Sequence, residues 1–273
     1  MSRIEQCFGA RRAEGRKALI PYITGGDPAP DATVAMMHNL VDAGADLIEV
    51  GMPFSDPMAD GPVIQAACER ALVHGTSVRD VLAMVSEFRQ QDTTTPVVLM
   101  GYLNPIEQIG YETFSREAAA AGVDGVLCVD LPPEESHDLV TALLAENLAP
   151  IWLIAPTTRR ERIEAICRVA RGYVYYVSLK GVTGADSLDV DDVARHVEQI
   201  RAVTELPVGV GFGIRDAETA ARVGAVADAT VVGSAIVKLI AAHADDPAAA
   251  RSAVGELVSG MRRALDERAV GIA

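Results

Sequence analysis

Eight short runs rich in apolar residues recur along the chain, separated by longer runs with helical spacing, and this alternation narrows the fold further than any other feature. The short runs lie at 18–24, 46–52, 96–102, 125–130, 150–155, 173–179, 207–212 and 229–233. Several are almost continuously apolar, as strands covered by helices are. Helical spacing occupies 32–43, 62–74, 134–147, 160–170, 191–203, 217–223 and 247–267. Pro62 opens the second of these, where a first helical turn accepts proline. Two further helices are predicted at 2–14 and at 78–90, the latter between the second and third strands. Eight strand-then-helix units predict an α/β fold, a single (β/α)8 TIM barrel with extra helices at the N-terminus and after the second strand. A barrel of this type needs about 250 residues, and the chain has 273, read as one catalytic domain over 1–273. An open doubly wound sheet is the architectural alternative. No Gly/Ser-rich or charged linker divides the chain, and no strong repeat shows beyond the β/α rhythm.

Composition removes several classes of function. Lys and Arg number 24 against 38 Asp and Glu, a formal net charge of −14. General nucleic-acid binding needs a basic footprint and is therefore not expected. An anionic small ligand remains possible, because backbone amides at a helix start bind phosphate whatever the global charge. No run matches the about 20 apolar residues of a membrane-spanning helix, and residues 1–6 lack the apolar core of a secretory signal. A soluble, cytoplasmic protein is expected. Cys7, Cys68, Cys128 and Cys167 form no CxxC pair, and the five histidines are scattered. This pattern predicts reduced structural thiols and no metal site.

In such barrels the active site lies at the C-terminal ends of the strands. Glu49 sits near the end of the second strand, where a residue chosen only for folding would be apolar. The loop after it, 53–62, contains three prolines, one glycine and the acids Asp56 and Asp60. Proline and glycine fix the backbone path, so this loop is shaped. The alternative is a buried Glu49 paired with Arg or Lys above a simple turn. Tyr22 and Thr24 end the first strand, Met100 lies on the third with Tyr102 and Asn104 after it, Leu127 lies on the fourth, and Asp130 ends it. Asp130 is equally readable as a cap, whereas Asp56 reads as a structural turn residue in preference to a catalytic one. Alternation puts Tyr173 and Tyr175 on one face of the sixth strand and Tyr176 on the other, against helices. Glycine-rich segments follow the last three strands: 180–184, 209–213 and Gly233-Ser234. Phosphate sites in these barrels form from the loops after strands seven and eight, with glycines letting N–H groups approach. Tight strand-end packing would use the same glycines.

The block from Ile48-Glu49-Val50-Gly51 through Asp60-Gly61-Pro62-Val63-Ile64-Gln65 closely resembles the signature of the tryptophan synthase alpha chain family. Gly25-Gly26-Asp27-Pro28, Tyr102-Leu103-Asn104-Pro105, Lys180-Gly181-Val182-Thr183-Gly184, Gly211-Phe212-Gly213-Ile214 and Gly233-Ser234-Ala235-Ile236 resemble it in the same order. The resemblance implies retro-aldol cleavage of indole-3-glycerol phosphate to indole and glyceraldehyde 3-phosphate, without metal or organic cofactor in this chain. It implies a pyridoxal-phosphate-containing beta partner in an α2β2 heterotetramer. Glu49 inherits the role of general acid/base and Asp60 that of binding the indole N–H. Substrate contacts are expected from Tyr22, Met100, Tyr102, Leu127, Tyr175 and Thr183, with the Tyr175 hydroxyl positioning Glu49 or the substrate. Phosphate contacts are expected from Gly184, Gly211, Gly213, Gly233 and Ser234. The 53–61 and 181–189 loops are expected to act as lids. Tyr22 replaces a common phenylalanine, Met100 a common leucine, and Leu179-Lys180 an Arg-Ala pair of some members. A metal-using sugar-phosphate epimerase would need histidines at several strand ends. A non-catalytic activator of a beta chain would have no need of both Glu49 and Asp60.

Overall fold

The computed structural model describes residues 1–178, 189–211 and 213–270, with side chains through residue 267. Helix α1 (Arg3–Ala13) leads into β1 (Ala18–Thr24), and α2 (Thr33–Asp42) into β2 (Ile48–Gly51). Helices α3 (Pro62–Val73) and α4 (Val78–Phe88) precede β3 (Val97–Gly101). Helices α5 (Leu103–Ile109) and α6 (Tyr111–Ala121) precede β4 (Gly125–Cys128), and α7 (His137–Ala145) precedes β5 (Ala149–Ile154). Then follow α8 (Arg160–Val169), β6 (Val174–Val177), α9 (Val190–Arg201), β7 (Val208–Gly211), α10 (Ala217–Gly224), β8 (Ala229–Val232), α11 (Ser234–Ala242) and α12 (Pro247–Val270). The eight strands pair in parallel in sequence order, and β8 closes on β1, so the barrel has no free edge.

All eight predicted strands form, mostly shorter by a few residues. Helices α5, α6 and α11 went unassigned in the sequence. The α6 segment ends in a run of four alanines, and α5 is only seven residues long. Asp130 lies beyond β4, and its carboxylate accepts the N–H of Leu103 at the start of α5. It is thus a cap supplied from a neighbouring loop. No helix among the described residues is long and apolar enough to cross a membrane.

Strict two-residue alternation builds two separate cores. On β1, Leu19 and Ile23 pack outward under the helices, while Ala18 and Ile20 fill the barrel interior. On β2, Ile48 and Val50 face outward and Leu47 inward, which turns Glu49 inward too. Tyr176 faces outward and stacks on His196 of α9. Helix α1 closes the N-terminal end of the barrel by inserting Ile4 and Phe8 into the interior core. Its start is fixed by reciprocal bonds between Ser2 and Glu5.

A short motif recurs at that N-terminal end, beyond the rhythm visible in the sequence. Asp46, Asp124 and Asp228 each accept the N–H of a residue at the start of the preceding strand: Leu19 (2.8 Å), Val97 (2.9 Å) and Val208 (3.0 Å). Each also meets arginine. Asp46 pairs with Arg262 at 2.9 Å, Asp124 with Arg89 at 2.8 Å and Arg3 at 3.0 Å, and Asp228 with Arg201 at 2.9 Å. Gly44 and Gly122 adopt φ of +101° and +88°, and the Arg262 and Arg89 stems pass over them where a Cβ would sit. Asp124 is buried with two cationic partners, and removing one member of a buried pair typically costs about 3–5 kcal/mol. Asp124→Ala is therefore expected to lower unfolding free energy by about that amount in urea denaturation. A loss below about 1 kcal/mol, the level of a surface pair, would show that this cluster does not hold the barrel end.

Candidate active site

A cavity of about 130 Å³ opens at the C-terminal mouth of the barrel. Glu49 and Asp60 reach it from β2 and its loop, Tyr22 from β1 and Tyr175 from β6. Ile64, Met100, Ile214 and Val231 supply apolar walls. Gly213, Gly233 and Ser234 border it from the ends of β7 and β8. Gly233 and Ser234 begin α11, whose first turn carries no side-chain cap. Uncapped N–H groups and the positive end of the helix dipole favour an anion there.

Glu49 is 1% exposed. Its Oε1 accepts a 2.5 Å hydrogen bond from the Tyr173 hydroxyl. Burial pushes the Glu49 pKa up to about 7, and the Tyr173 bond acts against that rise. Buried Tyr173 rests against Phe8 of α1, ring centroids 5.7 Å apart. The positioning of Glu49 expected of Tyr175 thus falls to Tyr173, two residues earlier on the same face. The Tyr175 hydroxyl instead crosses to Gly211 on β7, where a Cβ would lie 2.0 Å from it. Gly211 consequently makes room for Tyr175 and does not line the cavity, and its carbonyl accepts the N–H of Ser178 at 3.0 Å.

Asp60 is half-buried, and burial raises its pKa while a bond from Tyr102 lowers it. The Tyr102 hydroxyl donates to Asp60 Oδ2 at 2.9 Å and accepts the N–H of Ala59 at 3.0 Å. Its ring lies 5.3 Å from that of Phe54. Tyr102 therefore supports the acidic loop from beneath and is not a wall of the cavity. The Gln65 amide adds bonds to the carbonyls of Asp60 (2.8 Å) and Pro57 (3.3 Å). Asp56 is exposed and accepts from Ser55 Oγ at 2.6 Å. Leu127 lies fully buried in the interior core and does not reach the cavity.

Thr183 and Gly184, with most of the predicted 181–189 lid, lie outside the described residues, as does Phe212. Tyr173 and Gln65 had no role assigned from sequence. Periodicity placed Tyr173 inside the barrel, but not at the depth of Glu49. Gln65 stood within the signature block without a distinguishing neighbour. Because the Tyr173 bond stabilises the carboxylate, Tyr173→Phe is expected to raise the Glu49 pKa above its wild-type value near 7. The carboxyl band in infrared difference spectra against Glu49→Gln measures this, and an unchanged midpoint would remove Tyr173 from that role.

Comparison with known proteins bears on the same residues. The family model described as Tryptophan synthase alpha chain matches residues 8–266. The tryptophan synthase alpha chain of Alkalilimnicola ehrlichii is 63% identical over 273 residues, the whole of both chains. The crystal structure of tryptophan synthase subunit alpha from Legionella pneumophila superposes with a TM-score of 0.91 at 47% identity, covering 98% of this chain and 99% of that one. A chain from the aminoacrylate-bound tryptophan synthase of M. tuberculosis gives 0.85 at 38% identity, covering 96% and 100%. With a family match that spans nearly the whole barrel and full-length relatives above 60% identity, the chain belongs to the tryptophan synthase alpha chain family.

Proposed function

We propose that the cavity between Glu49, Asp60 and the start of α11 is where this chain cleaves indole-3-glycerol phosphate to indole and glyceraldehyde 3-phosphate, its step in L-tryptophan biosynthesis. The observation that carries the assignment is Glu49. It is buried, its pKa is pushed to about 7, and it opens on the same cavity as a second acid.

Cleavage requires C3 of the indole ring to gain a proton, which puts positive charge on the ring nitrogen. Protonated Glu49 supplies that proton. Asp60 stabilises the charge as it develops. Tyr102 holds Oδ2 of Asp60, which leaves Oδ1 to accept the indole N–H. The Glu49 carboxylate then takes the proton of the hydroxyl on the carbon bonded to the ring. The electrons of the carbon–carbon bond return to the ring, that carbon becomes the aldehyde, and Glu49 ends protonated as it began. An acid whose pKa lies near the working pH suits both transfers. Ile64, Met100, Tyr22 and Tyr175 would enclose the ring, and the amides near Gly213, Gly233 and Ser234 would hold the phosphate.

The family implies a beta-chain partner. An α2β2 assembly, with pyridoxal phosphate carried by the beta chain, is the arrangement we propose. The 53–61 loop is the element best placed to couple the two subunits. It carries Asp60, and its Met58 is 84% exposed.

Glu49→Gln is expected to lower kcat for cleavage by about 10² to 10⁴ with the fold intact. A mutant that keeps more than about a tenth of wild-type kcat would remove Glu49 from the role. Asp60→Asn is expected to lose more activity than Asp56→Asn. Equal losses would mean that loop integrity, not charge at Asp60, sets the rate. Indole release should also rise when a beta chain is added to the isolated chain, and an unchanged rate would overturn the coupling.

A further inference from the structure

Tyr22 makes a set of contacts that the reaction as written does not use. It stands on β1 in register with Glu49 and is 5% exposed. β1 lies between β8, which leads to the Gly233 amides, and β2, which carries Glu49. The Tyr22 ring spans that interval. At its near end, a Cβ on Gly233 would lie 3.6 Å from Tyr22 Cβ and Cδ1, an ordinary contact. At its far end the hydroxyl lies 3.1 Å from Thr24 Oγ1 and directly over Gly51 at the end of β2. A Cβ on Gly51 would come within 2.1 Å of the hydroxyl oxygen and 2.7 Å of Cζ, distances no side chain tolerates. Ala67 and Val237 pack against the ring from behind. Burial keeps the hydroxyl neutral, while the bond with Thr24 acts in the opposite direction. The ring is thus fixed at both ends and backed along its length.

A wall that cannot yield discriminates by size. Close-packed interiors transmit strain instead of absorbing it, and one methylene in an apolar pocket is worth about 10- to 200-fold in selectivity. We propose that Tyr22 is a specificity-determining residue: tethered to Thr24 across Gly51, its ring sets the largest indole ring system that the cavity accepts. The proposal rests on the cavity being the indole-glycerol phosphate site. It also explains glycine at position 51, which faces the same interior as Glu49 and has no room for any side chain.

The test uses the condensation direction, with glyceraldehyde 3-phosphate and either indole or 5-methylindole. The proteins compared are wild type, Thr24→Val, Tyr22→Leu, Gly51→Ala and the double variant Gly51→Ala/Tyr22→Leu. Tyr22→Leu is expected to raise kcat/KM for the methylated ring relative to indole by about 10-fold. Thr24→Val removes the tether at nearly constant volume and is expected to move selectivity the same way by a smaller factor. Gly51→Ala should raise KM for indole by about 10-fold, because its Cβ drives the Tyr22 ring into the cavity. In the double variant that Cβ occupies vacated space, so KM for indole should return to the value of Tyr22→Leu alone. Additive effects in the double variant would overturn the proposal. Should Gly51→Ala fail to fold, Thr24→Val decides, and wild-type selectivity in that variant overturns the tether. If Tyr22→Leu leaves KM for both rings unchanged, the cavity is not the ring site, and the proposed site falls with it. A changed KM with unchanged selectivity overturns only the role of Tyr22.

Discussion

The hydrogen bond of 2.5 Å from Tyr173 to Glu49 joins the start of β6 to β2 across the inside of the barrel. These strands are four places apart in the ring. In an open sheet, with strands about 4.8 Å apart, four places would separate them by roughly 19 Å. Closure alone lets their inward side chains meet. It also brings the inward side chains near the strand ends to the same small space, so Tyr22, Glu49 and Tyr175 converge although 153 residues of sequence separate Tyr22 from Tyr175. The site therefore depends on the ring as a whole, and no single β/α unit contains it.

Below Glu49 the interior is filled by apolar side chains. Ile4 and Phe8 of α1 fill the N-terminal end, and Phe8 lies against the ring of the tyrosine that donates to Glu49. This burial is what moves the Glu49 pKa from 4.5 to about 7. One unit corresponds to about 1.4 kcal/mol, so ionised Glu49 costs the fold on the order of 3 kcal/mol. The sign follows from proton linkage. The folded state holds this proton more tightly than the unfolded chain, so stability falls as pH rises from about 4.5 to about 7. The penalty is absent below that window and complete above it. A carboxylate that destabilises the fold at neutral pH is retained because its proton is poised for transfer.

Much of this was legible in the residues. Alternating apolar runs marked eight strands, and the shared face of Tyr173 and Tyr175, opposite Tyr176, followed from period two. The shaped loop after β2 and the glycines after β7 and β8 pointed to the cavity that the barrel forms. What escaped the sequence was depth and reach. Tyr173 and Tyr175 share a face, and which hydroxyl meets Glu49 depends on how far along the barrel axis each begins. Gly211 looked like a phosphate contact, yet its missing side chain serves Tyr175 on the neighbouring strand. Tyr102 sat at the correct mouth, but whether its ring faces the cavity or the underside of the loop depends on how residues 53–61 fold back over it. The helices α5 and α11 are short, and α6 ends in a run of alanines that marks no face, so none stood out beside the strand-then-helix rhythm.

The two ends of the barrel treat their partly or fully buried acids in opposite ways. At the N-terminal end, Asp46, Asp124 and Asp228 each receive a strand N–H and at least one arginine, so their charge is spent on holding strands and closing helices together. A neutral substitute there would leave guanidinium groups and backbone donors unpaired. At the C-terminal end, Glu49 receives a tyrosine hydroxyl, and among the described residues no cation opposes its burial; Asp60 likewise receives only Tyr102 among the described groups that set its titration. A guanidinium beside either acid would hold it ionised. Glu49 could then no longer deliver a proton, and the charge of Asp60 would be neutralised before a cationic ring needed it. Arginine at one mouth and tyrosine at the other thus separate stability from chemistry within a single ring of strands. The hydroxyl donor is the weaker partner, and that weakness is what leaves Glu49 free to change its protonation state.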